Sequence, residues 1–162
     1  MAVPEIVPII HGPGYRTAAI GRYAQGQFLA SATYAFPSGF SRGEGWEDQK
    51  RLYAVLHRFD PQGRHLPSDI RCSGTWAEQQ RHPQGNDSVR VRAKARLAEL
   101  LHGLPGPEYG HIAICPFQPS VDGVLFGLVA ERRAEGGGED DWAEPYPDRL
   151  GFFAPWDGTY DT

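Results

Sequence analysis

Two periodicities divide the chain. From Ser88 to Leu104 (SVRVRAKARLAELLHGL), Leu97, Leu100, Leu101 and Leu104 recur at i, i+3, i+4 and i+7. Val89 and Ala93 continue the stripe backwards in steps of four, which predicts one amphipathic helix. Asp87 or Ser88 offers an N-cap, and Gly103 or Gly106 followed by Pro107 offers a stop. Elsewhere the apolar residues alternate or run continuously, as in strands. Residues 17–24 and 27–36 predict a hairpin across Gln25-Gly26, with Phe28, Ala30, Ala32, Tyr34 and Phe36 sharing a buried face. Residues 50–59 and 65–72 predict a second hairpin around Asp60-Pro61-Gln62-Gly63, where proline presets one turn dihedral and glycine supplies the positive one. Residues 109–117 and 124–132 predict a third around Val121-Asp122-Gly123, and their nearly unbroken apolar runs suit strands covered on both faces.

The connecting segments fit the same plan. Residues 3–10 are apolar but hold Pro4 and Pro8, so they read as an extended edge segment. Residues 37–45 form a loop by composition, with Phe40 and Trp46 expected to pin it. Thr75-Trp76-Ala77-Glu78 matches a capping box and opens a short helix ended by Pro83. Residues 134–141 (AEGGGEDD) make an acidic, glycine-rich loop, and residues 150–153 make a last short strand. The expectation is a single α+β domain over residues 1–162, an antiparallel sheet built from three hairpins with the main amphipathic helix on one face.

Composition narrows the function. With 40% hydrophobic residues the chain stands clear of the disordered class, and its 20 glycines and 14 prolines favour short strands and many turns. A net charge of −4 gives no global attraction for polyanions. The basic run Arg90, Arg92, Lys94 and Arg96 fans over a broad arc, which reads as a solvated face, and nucleic-acid binding is not expected. No basic leader and no apolar run of membrane length is present, so the reading is a cytoplasmic protein with no membrane partner. Cys72 and Cys115 each fall in a predicted strand, as small buried or half-buried thiols of a reducing compartment, and are too few for a zinc site.

Catalytic signatures are sparse. No G-x-S-x-G elbow occurs, Cys115 has no helix N-terminus behind it, and Gly136 to Gly138 precede acid in place of a phosphate-loop lysine. No catalytic residue, metal or cofactor is therefore expected. His57 and His65 flank the second turn and can approach across the hairpin; His111 reads as a core histidine. The acidic stretch Glu139-Asp140-Asp141, with Glu135 and Glu144 nearby, lacks the alternating ligand spacing of a calcium loop and reads as solvated. The C-terminal part is dense in aromatic and acidic residues. Trp142, Trp156 and Tyr160 with Asp140, Asp141 and Asp157 make a candidate surface for recognising a protein partner, because large rigid rings supply contact area at low entropic cost. Equally, Trp156 and Tyr160 can fold back as a lid over the core.

The segments IVPIIHGPGYRTAAIGRY, RLYAVLHRFDPQGRHLPSDI and VDGVLFGLV through PDRLGFFAPWDGTYDT together resemble a group of small actinobacterial proteins known as formate hydrogenlyase regulatory proteins. The resemblance implies a cytosolic regulator that acts by contact with a transcriptional activator, without cofactor or catalysis, and carries no functional residue set to transfer. The leading expectation is thus a non-enzymatic regulatory or interaction protein. One alternative is an immunity-type inhibitor that neutralises a basic toxin through Glu139, Asp140, Asp141 and Asp157. Another is a small enzyme centred on His57, His65 or His111, which a deep pocket holding one of them beside a carboxylate would favour.

Overall fold

The computed structural model of the chain describes residues 2–12, 18–37, 43–132, 141–149 and 151–160. Strand β1 (Val7–Ile9) is the proline-bearing N-terminal segment, and β2 (Ile20–Tyr23) with β3 (Gly26–Ala35) forms the first hairpin. A short helix α1 (Trp46–Gln49) leads into the second hairpin, β4 (Arg51–Phe59) and β5 (His65–Thr75). Helices α2 (Trp76–Arg81) and α3 (Val89–His102) follow. Short strands complete the described chain: β6 (Glu108–Tyr109), β7 (Ile112–Ile114), β8 (Ser120–Val121), β9 (Val124–Leu125), β10 (Gly127–Glu131) and β11 (Trp142–Tyr146). The fold is α+β. Five strands in the antiparallel order β5-β4-β3-β2-β6 make the main sheet, and β1-β7, β10-β11 and β8-β9 make three small pairs.

Local chemistry sets the element ends. In the β4-β5 turn the Asp60 carboxylate accepts hydrogen bonds from the amides of Gln62 and Arg64, both 2.9 Å, while Gly63 takes φ +90°. The Thr75 hydroxyl caps α2 by accepting from the Glu78 amide at 3.1 Å, and Ser88 caps α3 through the Val91 amide at 3.2 Å. Gln79, buried, holds the two helices together: its side-chain oxygen accepts from the Arg90 amide at 2.9 Å. The apolar face of α3 lies on the sheet, with Leu104 buried against Phe28, Ala30 and Leu56, and Leu97, Leu100 and Leu101 packed around them. Val89 and Ala93 are buried against Leu52. Two members of the basic run are used within the chain, Arg92 pairing with Glu78 at 3.1 Å and Arg96 with Asp69 and Glu99 at 3.4 and 3.3 Å.

The opposite sheet face is covered by the short strands, which explains several departures from the sequence reading. Val7, Ile9, Ile112 and Ile114 of β1 and β7 form a core with Phe59, Phe117, Leu128 and Phe152, while Val124 and Phe126 pack on Tyr53 and Val55. Strand β3 is consequently buried on both sides: Gln27, Thr33 and Ala35 are buried as well as Phe28 and Ala30, while of the other residues expected inside Tyr34 and Phe36 are half-buried and Ala32 is exposed. The third hairpin closes only between β8 and β9, around Asp122 and Gly123 with φ +54° and +73°. Beyond it, a single bridge joins Phe117 to Leu128; β7 pairs with β1, and β10 pairs with β11. Two apolar strands flanking a turn had more than one antiparallel partner available, and residues distant in sequence won. His111, expected in the core, is exposed between β6 and β7, where its Nδ1 accepts from the His11 amide at 2.8 Å. Cys72 is likewise exposed, and both cysteines are free. Trp46 opens α1 and stacks on Trp76, and the expected last strand is reduced to a bridge between Phe152 and Ala143. Phe40 and Leu150 lie outside the described residues.

Candidate functional site

Between the main sheet and its short-strand cover lies a cavity of about 490 Å³. The sheet contributes Leu29, Ser31 and Thr33 from β3 and Val55 and His57 from β4. Ile114, Phe117, Phe126 and Leu128 form a second wall, and Pro145 to Asp148 with Phe152 and Gly158 to Tyr160 form a third. The walls are largely apolar with a few converging polar groups, and the volume falls within the roughly 300–1,000 Å³ range of small-molecule sites. Gly127 permits this geometry: it takes φ +126°, and a Cβ there would sit 2.1 Å from the Phe117 carbonyl oxygen.

His57 is the polar group set deepest, only 3% exposed. It owes its surroundings to a β-bulge. Between the paired positions Leu56 with Asp69 and Arg58 with Leu66, His57 alone faces two residues, Pro67 and Ser68. The extra residue shifts the alternation of β5 by one, so that Ser68 shares a face with His65, three positions earlier. Arg58 steadies the bulge by donating to the Pro67 carbonyl at 3.2 Å. The Ser68 hydroxyl then meets Nδ1 of His57 at 2.7 Å and Nε2 of His65 at 2.6 Å. Phe117 packs against both imidazoles, with ring centroids 4.8 and 4.7 Å away, and against Phe59 at 4.9 Å. Burial, aided by the neighbouring His65 ring, pushes the His57 imidazole down to about 3, and burial lowers His65 as well. His57 is therefore a neutral imidazole at ordinary pH.

The other polar groups are also held. Thr33 donates to the Asp148 carboxylate at 3.1 Å, which places a charge at the exposed margin of the cavity. Tyr160 lies flat on Phe152, with centroids 4.3 Å apart, and donates to the Pro8 carbonyl at 2.6 Å. Burial pushes its phenol up to about 12, with Asp157 adding to the rise and the Gly158 backbone opposing it. Gln27 acts as a surrogate strand between the sheet and β7: its amide donates to the Ala113 carbonyl at 2.9 Å and accepts from the Ala113 amide at 2.7 Å.

The aromatic and acidic residues singled out in the sequence are dispersed. Trp156 and Tyr160 turn inward against the core, partly buried, and the Trp156 indole nitrogen is enclosed with no partner among the described residues. Asp141 is buried, while Asp157 is exposed and accepts from the Thr159 amide at 2.9 Å. Trp142 stacks on Phe153, which is half exposed. Asp140, Glu139 and Glu135 lie outside the described residues, and Glu144 pairs with Arg149 at 3.3 Å. No group of three or more His, Cys, Asp or Glu able to hold a metal occurs among the described residues, and none of their helices is long and apolar enough to cross a membrane.

Sequence reasoning brought His57 and His65 together but missed Ser68, Ser31, Thr33 and Asp148. A proline inside an otherwise regular strand was the available signal for Ser68, since Pro67 favours a bulge. Polar residues at 27, 31 and 33 on the face opposite Phe28 were the signal for a lined cavity. No protein-family model matches the chain, and comparison with curated proteins and with solved structures gives no match either.

Proposed function

We propose that this chain is a ligand-responsive regulatory protein, and that its cavity binds a small, neutral, largely apolar organic molecule carrying a single polar head group. The largely apolar cavity with buried, neutral His57 in its wall is the observation that carries this reading. An imidazole that stays uncharged favours a head group that hydrogen-bonds without charge, since an ion at the depth of His57 would be desolvated there, the Asp148 carboxylate lying at the exposed margin. The regulatory part follows from where the walls come from. Strand β11 and the segment after it supply Pro145 to Asp148 and Phe152 to the cavity, and the same stretch carries Trp142 and Phe153 outward. Occupancy would then stabilise the layer that bears the surface rings, and a protein partner reading that surface would sense the ligand. Two free cysteines suit the cytoplasmic, reducing setting of this reading.

A second reading, recognition of a protein without any small ligand, is favoured by the half-exposed Phe153 stacked on Trp142. NMR resolved at both methyl and aromatic ring positions, with 4-ethylphenol as probe, separates the two. The first reading expects saturable shifts at Leu29, Val55, Ile114 and Leu128, lost in Ser31→Phe, which fills the cavity. It also expects a thermal stabilisation of about 1.4 kcal/mol at a tenfold excess of probe over Kd. Shifts confined to Trp142 and Phe153, or a Ser31→Phe variant that binds as well as the parent, would overturn it.

A further inference from the structure

We propose that Ser68 couples His57 to His65 as a tautomer relay, which lets the cavity offer either a hydrogen-bond acceptor or a donor to its ligand. The ligand class is then a neutral molecule with a hydroxyl or a carbonyl head on an apolar body. A serine hydroxyl has one proton to give and lone pairs to receive, so it cannot donate to both of the nitrogens it touches, at 2.7 and 2.6 Å. Two arrangements satisfy all three groups. In one, His57 Nδ1–H donates to Ser68, Ser68 donates to His65 Nε2, and His57 Nε2 faces the cavity as an acceptor. In the other, His65 Nε2–H donates to Ser68, Ser68 donates to His57 Nδ1, and His57 Nε2–H becomes a donor. Each imidazole carries one proton in both, so the two end states have the same charge; conversion of the first into the second passes a proton from His57 Nδ1 to Ser68 and one from Ser68 to His65 Nε2, while His65 Nδ1 gives a proton to water and His57 Nε2 takes one from water.

The fold supports such a switch with unusual specificity of placement. The bulge at Pro67-Ser68 exists opposite His57 alone, and it brings a hydroxyl to the one point between the two rings. Phe117 packs against both rings and, with Phe59, fixes their planes. Among the described residues Nδ1 of His57 has Ser68 as its hydrogen-bond partner, which leaves Nε2 as the atom that this cavity-lining ring has to offer. His65 is only partly buried, so its second nitrogen can exchange its proton with solvent when the tautomers change.

The use of the relay rests on the cavity reading above; its existence does not, and one set of spectra addresses both. Imidazole 15N shifts are recorded on histidine-labelled protein alone, with 4-ethylphenol, whose head group donates, and with 4-ethylacetophenone, whose head group only accepts. In the free protein the two rings show matched tautomers: His57 Nδ1–H with His65 Nδ1–H, or His57 Nε2–H with His65 Nε2–H. The phenol drives His57 to Nδ1–H and the ketone drives it to Nε2–H, with His65 following. Ser68→Ala uncouples the rings, and one guest then loses about tenfold in affinity relative to the other. His57 Nδ1–H found together with His65 Nε2–H in the free protein, or one His57 tautomer with both guests, would overturn the relay. If neither guest binds, the cavity reading fails while the tautomers of the free protein still decide the relay.

Discussion

A buried imidazole ties the fold to pH. His57 is pushed down to about 3 from an ordinary value of 6.5, so between those limits the unfolded chain holds a proton on this ring that the folded chain lacks. Stability is complete above about pH 6.5 and falls as pH drops, because the state that binds more protons gains. From pH 7 to pH 5 the loss from His57 alone is about 2 kcal/mol, and His65, lowered in the same direction, adds to it. Urea midpoints for His57→Gln should show a distinctly flatter pH dependence over this range than the parent; an unchanged slope would place the titration elsewhere. Gln27 is the other residue whose role is disproportionate to its surface. Gln27→Leu keeps approximate size but strips both hydrogen bonds from Ala113, and the unfolding free energy from urea melts should fall by about 2–3 kcal/mol. A loss below 0.5 kcal/mol would mean that water or backbone movement replaces those bonds.

At the scale of elements, legibility followed the range of the determining interactions. The β2-β3 and β4-β5 hairpins, the Thr75 and Ser88 caps and the α3 stripe were readable because each is decided within a few residues: a turn dihedral, a hydroxyl reaching an amide, a leucine one turn from the next. The β1-β7 pair was not readable, since Val7 and Ile114 carry no local mark of one another; it is fixed by the shared core and by Gln27 bridging to Ala113. The same holds for β10-β11, whose residues Gly127 and Tyr146 pair across a long excursion. His57 and His65 could be brought together from the hairpin, whereas the cavity beside His57 depends also on wall residues from 114 to 160, which carry no local mark of it. Gly127 marks the junction where β10 leaves the Phe117 bridge. Gly127→Ala would force a side chain against the Phe117 carbonyl at a φ that L residues rarely adopt. A loss of about 2–4 kcal/mol in a urea melt is expected. Parent-like stability would show that β10 and Phe117 can separate freely.

For the whole molecule, the two faces of the main sheet have different tasks. Helix α3 closes one face with leucine, valine and alanine, and its Arg92 and Arg96 are spent on Glu78, Asp69 and Glu99. The short strands close the other face incompletely, and the space left over is where the polar groups Ser31, Thr33 and His57 gather. This space of about 490 Å³, partly open to solvent and walled by aromatic and aliphatic side chains, has the size of a small-molecule site. The most direct test is a crystal of the protein soaked in 4-ethylphenol. The account predicts density for one phenol inside the cavity, its ring against Leu128 and Phe126 and its hydroxyl within about 2.6–3.2 Å of His57 Nε2. An empty cavity with the phenol seated instead on the Trp142 and Phe153 rings would contradict it.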